Sequence, residues 1–466
     1  MRALSHFSGD HRGNIAVIFA LTMIPIIYLL GMALDYTQAL RKQGQLNAAA
    51  DAAAIAAIRP AMLVQTTDVA KATATAVFGS TANGLPGLSS VPTPTITVVD
   101  NGLRRAVTVS YDTKSINNFP SLLGSPAWPI SGSSEAQASS LPNMNFYLLL
   151  DVSPSMAIGA TQDDIDDLKT YTASQPSGSK SCGFACHEAH PNLDANASPT
   201  TKDNFSIAIA KNVKLRIDLV VSAVNQLLVG PWQCPQAVVS GGVMQCMSAL
   251  NNTSYRAALY TFDYKLNTLQ SLASLSTVAK QIPNIQLLTV DHQNCVTTWN
   301  CNTDFGTDIK GALTDLSAIM PSPGLGSNQA GDTPQEVIFL VTDGVEDKII
   351  PSSSGCNRDA LVQTVSSTQY RCQQPLDTTV CTTIKNSGIR IAILYTEYLQ
   401  LNGDNWYDTH VAQFNNPSSS TGKIAQQLQS CASPGLFADV QTGGDISAAL
   451  TDLFIKVASS TASLTR

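Results

Sequence analysis

One apolar run that ends abruptly in oxygen-bearing side chains constrains this sequence most. Phe146 to Leu150 are all aromatic or aliphatic, and the chain continues as Asp151-Val-Ser153-Pro-Ser155. Such a run is typical of a strand buried on both faces of a parallel sheet. Ligands of these sheets bind at the carboxyl ends of the strands. The sequence therefore predicts a binding site at Asp151, Ser153 and Ser155, and its oxygen atoms favour a hard cation such as Mg²⁺.

Strands and helices alternate from residue 143 onwards, which predicts a doubly wound, Rossmann-like α/β domain over residues 143–466. A long polar segment at about 157–204 interrupts the pattern and is interpreted as an insertion beside the site. The predicted strands are Phe146–Leu150, Arg256–Phe262, Glu336–Thr342, Arg390–Tyr395 and Leu436–Val440. The predicted helices are Lys214–Leu228, Asp308–Ile319, Asp377–Asn386 and Ile446–Val457.

The N-terminal region, residues 1–58, contains a candidate membrane helix. The stretch at about 14–34 has no charged residue and is long enough to cross a bilayer, with Pro25 near its middle. A cleaved signal peptide is the alternative, because Gly31-Met-Ala33 loosely resembles a cleavage site. The alanine-rich residues 37–58 are predicted to extend the helix into water, either packed against another helix or as a stalk without a partner.

A small α+β module is predicted at residues 59–142. It comprises a helix at 67–78 and two strands, Thr95–Val99 and Ala106–Tyr111, on either side of an Asp-Asn-Gly turn signal. Residues 128–131 are expected to add to the module, and the Ser- and Ala-rich stretch 131–142 is interpreted as a linker.

Charge and cysteine content limit the classes of function. The net charge of −7 and the lack of long Lys/Arg clusters argue against nucleic-acid binding. An even number of cysteines, all beyond the apolar segment, favours disulfides and an oxidising compartment on that side, with free cytosolic thiols as the alternative. The N-terminus is then cytoplasmic. The sequence does not fix the pairing of the ten candidates: Cys182, Cys186, Cys234, Cys246, Cys295, Cys301, Cys356, Cys372, Cys381 and Cys431.

Two further stretches fit the site at Asp151. A second apolar strand ends in Asp343-Gly344, and Thr307 stands at the entrance to a predicted helix, with Thr303 as a substitute. Taken singly, Thr307 could be an N-cap and Asp343 a turn residue. Their occurrence in this order after the Asp-x-Ser-x-Ser run favours a common site.

This half of the chain resembles a von Willebrand factor A domain, whose metal-ion-dependent adhesion site consists of Asp-x-Ser-x-Ser, a later Thr and a later Asp. The resemblance implies that Ser153 and Ser155 ligate Mg²⁺ (or Mn²⁺) directly. Thr307 would ligate it directly or through water, and Asp151 and Asp343 would hold coordinated waters. It also implies that a protein partner supplies a carboxylate to the last coordination position.

The N-terminal segment is similar to the TadE/TadG-like segment of bacterial Tad (Flp) pilus assembly proteins. The similarity rests on residues 12–25, on Gly31-Met-Ala-Leu-Asp35-Tyr36 and on residues 45–54. It implies a single-pass inner-membrane component of pilus assembly with most of the chain in the periplasm and a partner from the pilus machinery. The Glu that related pseudopilins carry after a cleavage-site glycine is missing after Gly13, which favours a stable anchor over a pilin. A surface adhesin or matrix-binding protein unrelated to pili is the alternative.

The run Cys182-Gly-Phe-Ala-Cys186-His187-Glu-Ala-His190 admits three interpretations. They are a disulfide, a zinc site, and covalent haem attachment in a redox protein. The acidic run 163–167 is interpreted as a solvated helix face. The sequence has no recognisable catalytic motif, and we expect a binding protein rather than an enzyme.

Overall fold

A computed structural model describes the chain in two compact units that divide at residue 140. The residues described are 13–119, 125–175, 180–183, 186, 203–230, 241–289, 306–351, 356, 361–366, 369–397, 401, 405–415, 423–441 and 444–459.

The first unit consists of a long helix, two shorter helices and an antiparallel three-stranded sheet. The sheet order is β1-β2-β3. The elements are α1 (Gly13–Ala57), α2 (Pro60–Leu63), α3 (Thr67–Ala82), β1 (Thr95–Asn101), β2 (Arg104–Ile116) and β3 (Ala127–Ser139).

Helix α1 joins the predicted membrane segment and its alanine-rich extension into one continuous helix that includes Pro25. Its N-terminal part is long and apolar enough to span a membrane, and its side chains there are exposed. In the extension, the small residues Ala50, Ala53 and Ala57 are buried in a core that also contains Phe78 of α3. The alanine-rich extension therefore packs against another helix, α3 of the same chain, and is not a stalk without a partner.

The expectation of a linker at 131–142 is wrong for most of that stretch. Residues up to Ser139 belong to β3, which pairs with β2 in an unbroken register from Ile116↔Ala127 to Arg104↔Ser139. Ser and Ala have low β-propensity, and the register shows that pairing with a long, well-formed neighbour outweighs it here. Because α1 also packs on this sheet, the regions predicted at 1–58 and 59–142 form one unit.

The second unit contains most of the helices and strands. Before residue 300 its elements are β4 (Met144–Asp151), α4 (Gln162–Tyr171), α5 (Asn204–Ala210), α6 (Arg216–Leu228), α7 (Val243–Asn251), β5 (Tyr255–Phe262), β6 (Leu266–Ser274) and α8 (Leu275–Ala279). After it they are α9 (Ile309–Ile319), β7 (Gln335–Thr342), β8 (Val345–Ile350), β9 (Leu361–Ser366), β10 (Gln369–Pro375), α10 (Thr379–Asn386), β11 (Arg390–Thr396), α11 (Asn405–His410), α12 (Lys423–Cys431), β12 (Phe437–Val440) and α13 (Ile446–Ser459). Short 3₁₀ turns occur at Pro154–Ala157 and Ile282–Asn284.

The main sheet has six strands in the order β12-β11-β7-β4-β5-β6, and only the edge strand β6 runs antiparallel to its neighbour. Every residue of β4 and β7 is buried. Leu148 and Leu150 contribute to the core on one face, and Tyr147 and Leu149 to the core on the other. The predicted doubly wound α/β domain is confirmed, and all nine of its predicted strands and helices are present.

Two parts of this unit differ from the sequence-based expectation. The supposed insertion after residue 157 contains helix α4, whose Ile165 and Leu168 are buried in the main cores. A second sheet, with the order β8-β10-β9, lies between β7 and α10 and was not predicted. We call residues 345–375 the accessory sheet.

Three disulfides join pairs of described cysteines in the second unit, and no described cysteine is free. Cys182 bonds to Cys186, Cys356 to Cys372, and Cys381 to Cys431, while Cys246 is also disulfide-bonded. Cys372 therefore does not bond to its sequence neighbour Cys381. The candidates Cys234, Cys295 and Cys301 lie outside the described residues.

The Cys381–Cys431 bond links α10 to the end of α12 across a sequence separation of 50 residues. Because a cross-link that closes a longer loop restricts the unfolded chain more, replacing both cysteines by Ala should lower the free energy of unfolding by about 4 kcal/mol. The matched control removes Cys182–Cys186, which closes a separation of 4 residues, and should cost about 2 kcal/mol. Urea denaturation of the two double variants measures the difference. Equal losses would contradict the loop-length argument.

Candidate metal centre

The Asp-x-Ser-x-Ser residues form a compact buried group at the end of β4. The Ser153 amide donates to Asp151 Oδ1 at 2.9 Å, and the Ser153 and Ser155 hydroxyl oxygens lie 3.1 Å apart. Asp151 and Ser153 are fully buried, and Ser155 is 9% exposed. Ser153 is the N-cap of the 3₁₀ turn Pro154–Ala157, and Ser155 lies within that turn.

The strand beside β4 brings the predicted second carboxylate to the same edge of the sheet. Asp343 follows β7 directly and is fully buried. The hydroxyl of Thr342 donates to Asp151 Oδ2 at 2.6 Å and accepts from the Gly344 amide at 3.0 Å. Gly344 has a φ of +84°, and an added Cβ would lie 2.6 Å from Ile424 Cγ2. Thr342 therefore ties the two strand ends together, and glycine is needed directly after Asp343.

The site lies where the order of the sheet reverses. From β4 the chain crosses to β5 on one side and later to β7 on the other. Crevices at such reversals, outside the carboxyl ends of the strands, are where doubly wound sheets bind ligands. Asp151 and Asp343 stand on the two strands that flank this reversal.

The two carboxylates repel each other in a buried setting. Burial, followed by the negative charge of Asp343, raises the pKa of Asp151 to about 7, although hydrogen bonds from Ser153 and Thr342 oppose the change. A cation close to both groups would remove this penalty, because opposite charge favours the ionised carboxylate.

Thr307 lies beside the same loop. It is buried, and an added Cβ on the preceding Gly306 would lie 2.5 Å from Pro154 Cδ. Its backbone pairs with Asp347 of the accessory sheet, donating at 3.1 Å and accepting at 2.8 Å. Asp308, not Thr307, caps α9 by accepting from the Gly311 amide. The N-cap explanation of Thr307 is therefore wrong. The substitute candidate Thr303 lies outside the described residues.

The accessory sheet thus contributes to the position of Thr307. The Asp347 carboxylate accepts from Arg371 of β10 through both oxygens, with Arg371 Nε at 2.7 Å from Oδ1. A bidentate pair of this kind fixes orientation as well as distance. This support could not be predicted from the sequence, because an ion pair between neighbouring strands has no sequence signature of its own.

A buried arginine is the second feature that sequence reasoning missed. Arg216 opens α6, and its Nη1 lies 3.6 Å from Asp343 Oδ2, with both side chains nearly inaccessible. Its Nη2 donates to the Glu397 carbonyl at 3.0 Å. A single arginine at the start of an amphipathic helix has the pattern of an exposed residue, so the sequence offered no signal for its burial.

The donors present fit a hard divalent cation. Carboxylate and hydroxyl oxygens are the ligands that Mg²⁺ prefers, and few of them are charged. Within the described ranges, no group of three or more His, Cys, Asp or Glu side chains could hold a metal ion, and this site has two carboxylates supplemented by hydroxyls. The predicted residues Asp151, Ser153, Ser155 and Asp343 converge directly, and Thr307 lies on the adjoining loop.

The other candidate residues have different roles. The Cys182–Cys186 disulfide uses the two sulfur atoms that zinc or haem attachment would need, which argues against the redox interpretation. His187 and His190 lie outside the described residues. In the acidic run, Asp164 completes a capping box with Thr161 at the start of α4, while Asp163, Asp166 and Asp167 are exposed.

The doubly wound sheet, and the order of Asp151, Ser153, Ser155, Thr307 and Asp343 along the chain, resemble those of a von Willebrand factor A-type domain. Residues 13–72 match the family described as "Putative Flp pilus-assembly TadE/G-like". The resemblance of the N-terminal segment to this family is thereby confirmed. No curated protein matches the chain significantly.

Several solved structures are distantly similar. The conserved hypothetical protein BatB from Bacteroides thetaiotaomicron is 11% identical, with 68% of this chain and 100% of that chain covered and a TM-score of 0.32. The vWF domain of the type V pili tip protein Mfa5 from Porphyromonas gingivalis is 11% identical, with 70% and 99% covered and a TM-score of 0.31. The PilB minor pilin from Streptococcus sanguinis is 11% identical, with 79% and 78% covered and a TM-score of 0.31.

Replacing Arg216 by Met should separate folding from cation binding. Without metal, the variant leaves the Asp343 charge buried beside Asp151, so we expect a loss of about 3–5 kcal/mol in the free energy of unfolding. Added Mg²⁺ should restore most of it, and Mg²⁺ affinity should rise by about tenfold because a nearby positive charge is gone. Thermal melting at increasing Mg²⁺ concentration measures both effects.

Lys214→Met is the matched control, since it removes the same charge from an exposed position two residues away. It should change neither stability nor Mg²⁺ affinity appreciably. If Arg216→Met lowered the affinity for Mg²⁺, the proposed electrostatic competition would be wrong.

Proposed function

We propose that this chain is a membrane-anchored component of a Tad (Flp) pilus assembly system that binds a protein partner through a Mg²⁺-dependent site. The observation that carries the proposal is the convergence of Asp151, Ser153, Ser155 and Asp343 where the sheet order reverses. The match of residues 13–72 to the pilus-assembly family supplies the context. This is a role in binding rather than in catalysis.

The proposed topology is a single pass through the inner membrane. The exposed apolar part of α1 would span the bilayer, with the short N-terminal tip in the cytoplasm. The second unit would face the periplasm, in accord with its disulfides, because disulfides persist in oxidising compartments.

The proposed cation ligands are the hydroxyls of Ser153, Ser155 and Thr307, with Asp151 and Asp343 holding coordinated water. Mg²⁺ is the expected ion, and Mn²⁺ has similar ligand preferences. When bound, the ion would supply uncompensated positive charge at the edge of the sheet. The chain's own residues position the oxygens: Thr342 holds Asp151, and Asp347 holds the Thr307 backbone.

The partner is expected to present a carboxylate. With both site carboxylates ionised and Arg216 beside them, the buried side chains carry one net negative charge, and a divalent ion would make the site net positive. An acidic side chain would then form a charge-assisted contact there, and a neutral oxygen would gain less. A subunit or assembly protein of the pilus machinery with an exposed Asp or Glu fits this chemistry.

The first experiment tests the link between the cation site and pili. In a strain lacking this gene, wild type should restore pilus assembly and Asp151→Ala should not, because Ala removes the carboxylate that accepts from the Ser153 amide and the Thr342 hydroxyl. Asp163→Ala, which removes an exposed carboxylate from α4, is the matched control and should restore assembly. Electron microscopy and the amount of sheared pilus protein provide the readouts.

Rescue by Asp151→Ala would show that pilus assembly does not require the cation site. Normal pili in the deletion strain would remove the pilus role and leave an anchored adhesin as the better description.

A second experiment tests the cation directly. Isothermal titration of the purified full-length protein should show Mg²⁺ binding that Asp151→Ala abolishes and Asp163→Ala retains. Binding of the protein to a sheared pilus fraction should be lost on adding a chelator and restored by excess Mg²⁺. Retained binding in chelator would contradict the proposed mode of partner capture.

A further inference from the structure

The sheet of the first unit contacts the apolar part of α1 along one face of that helix, near its end. After the exposed apolar residues of α1, the first buried positions are Gly31, Asp35 and Ala39. A spacing of four places these residues on one side of a helix. That side contacts the loop after β2 and the start of β3, so the folded module begins while the helix is still apolar.

Three contacts fix this arrangement. The Asp35 carboxylate accepts from the backbone amides of Asn118 and Phe119 at 2.8 and 3.0 Å and is 3% exposed. An added Cβ on Gly31 would lie 2.9 Å from Phe119 Cβ, so the Phe119 side chain lies directly against the helix backbone. Tyr36 and Trp128 pack edge to face with ring centroids 5.7 Å apart.

The aromatic side chains held in this way remain partly open. Phe119 is 45% exposed, Trp128 37% and Tyr36 51%, and Ile116 at the end of β2 is exposed to a similar extent. Because an α-helix rises about 1.5 Å per residue, Gly31 lies only about 5 Å before Leu34, the last residue of the uncharged stretch. Phe119 therefore lies level with the final turn of the apolar segment.

We propose that this aromatic end of the first unit, formed by Tyr36, Ile116, Phe119 and Trp128, docks in the interfacial layer of the lipid bilayer. Trp and Tyr favour the boundary between hydrocarbon and headgroups, and these residues lie where the helix crosses that boundary. The occupant follows from continuity with the apolar surface of α1, which has the length and composition to span a bilayer. The hydrogen bonds to Asp35 also explain how a carboxylate is accommodated at this depth, since burial of an unpaired charge is costly.

This inference rests on the membrane-anchoring part of the proposed function but not on the metal site. It predicts that the first unit lies against the membrane instead of standing away from it on a helical stalk. Lipid-attached nitroxides, which quench nearby tryptophan fluorescence, provide a direct measurement.

The experiment uses the full-length chain in phosphatidylcholine/phosphatidylglycerol vesicles, with Trp128 kept and the other three of the four tryptophans replaced by Phe. A nitroxide near the headgroups should quench about half of the Trp128 emission, and a nitroxide near the bilayer centre should quench less. Two controls start from a chain with Trp128→Phe as well. Phe19→Trp reports from within the apolar segment, and Val99→Trp reports from an exposed position near the distal β1–β2 turn.

The expected pattern is quenching of Trp128 mainly by the shallow nitroxide, quenching of Phe19→Trp by the deep one, and no quenching of Val99→Trp. Gly31→Leu, which crowds Phe119, should reduce quenching of Trp128. Quenching of Phe19→Trp without quenching of Trp128 would overturn the docking inference and leave the anchor intact, as expected if a protein covers the aromatic end. Quenching of neither would overturn both the anchor and the docking.

Discussion

Two carboxylates at the ends of adjacent buried strands are the constraint on which the second unit depends. Asp151 and Asp343 are both fully buried, and their mutual repulsion adds to the cost of burial. A fold retains such a pair only if other groups compensate it. Thr342 and the Ser153 amide supply neutral dipoles, Arg216 supplies one positive charge, and a divalent cation would supply the rest.

Other buried acids in the chain show why this pair indicates a ligand. Asp35 accepts two backbone hydrogen bonds, which compensate a carboxylate that tethers a loop. Glu346 is fully buried, but its oxygens accept from Lys348, the Lys310 amide and Gln374 at 2.9–3.1 Å. These acids have structural partners that account for their burial. Asp151 also has structural partners, but burial, followed by the negative charge of Asp343, raises its pKa. The burial of two neighbouring carboxylates together is the reason for proposing a cation site here.

The sequence predicted those parts of the fold that depend on local pattern. Continuous apolar runs such as Phe146–Leu150 identified the buried strands, and the polar residues after them identified four of the converging groups. Prediction from the sequence failed where the pairing of distant strands decides the structure. The Ser- and Ala-rich end of β3 is a strand only because β2 lies beside it, and the accessory sheet is an antiparallel set of short polar strands. The sequence does not distinguish the role of Thr342 from that of the other residues of β7, since this role depends on the register that places Thr342 beside Asp151.

The positive charge of Arg216 bears on two properties of the proposed site, its affinity for the cation and its attraction for an acidic partner. A permanent positive charge 3.6 Å from Asp343 stabilises the metal-free protein and would compete with a cation at the proposed site, so it would lower the affinity for Mg²⁺. The same charge would make the loaded site more positive and would thereby favour an anionic ligand from the proposed partner. A site with both carboxylates and no arginine would bind the ion more tightly but would have less charge left to attract an acidic side chain. In the proposed site, the buried arginine would therefore shift the balance from holding the ion towards capturing the partner.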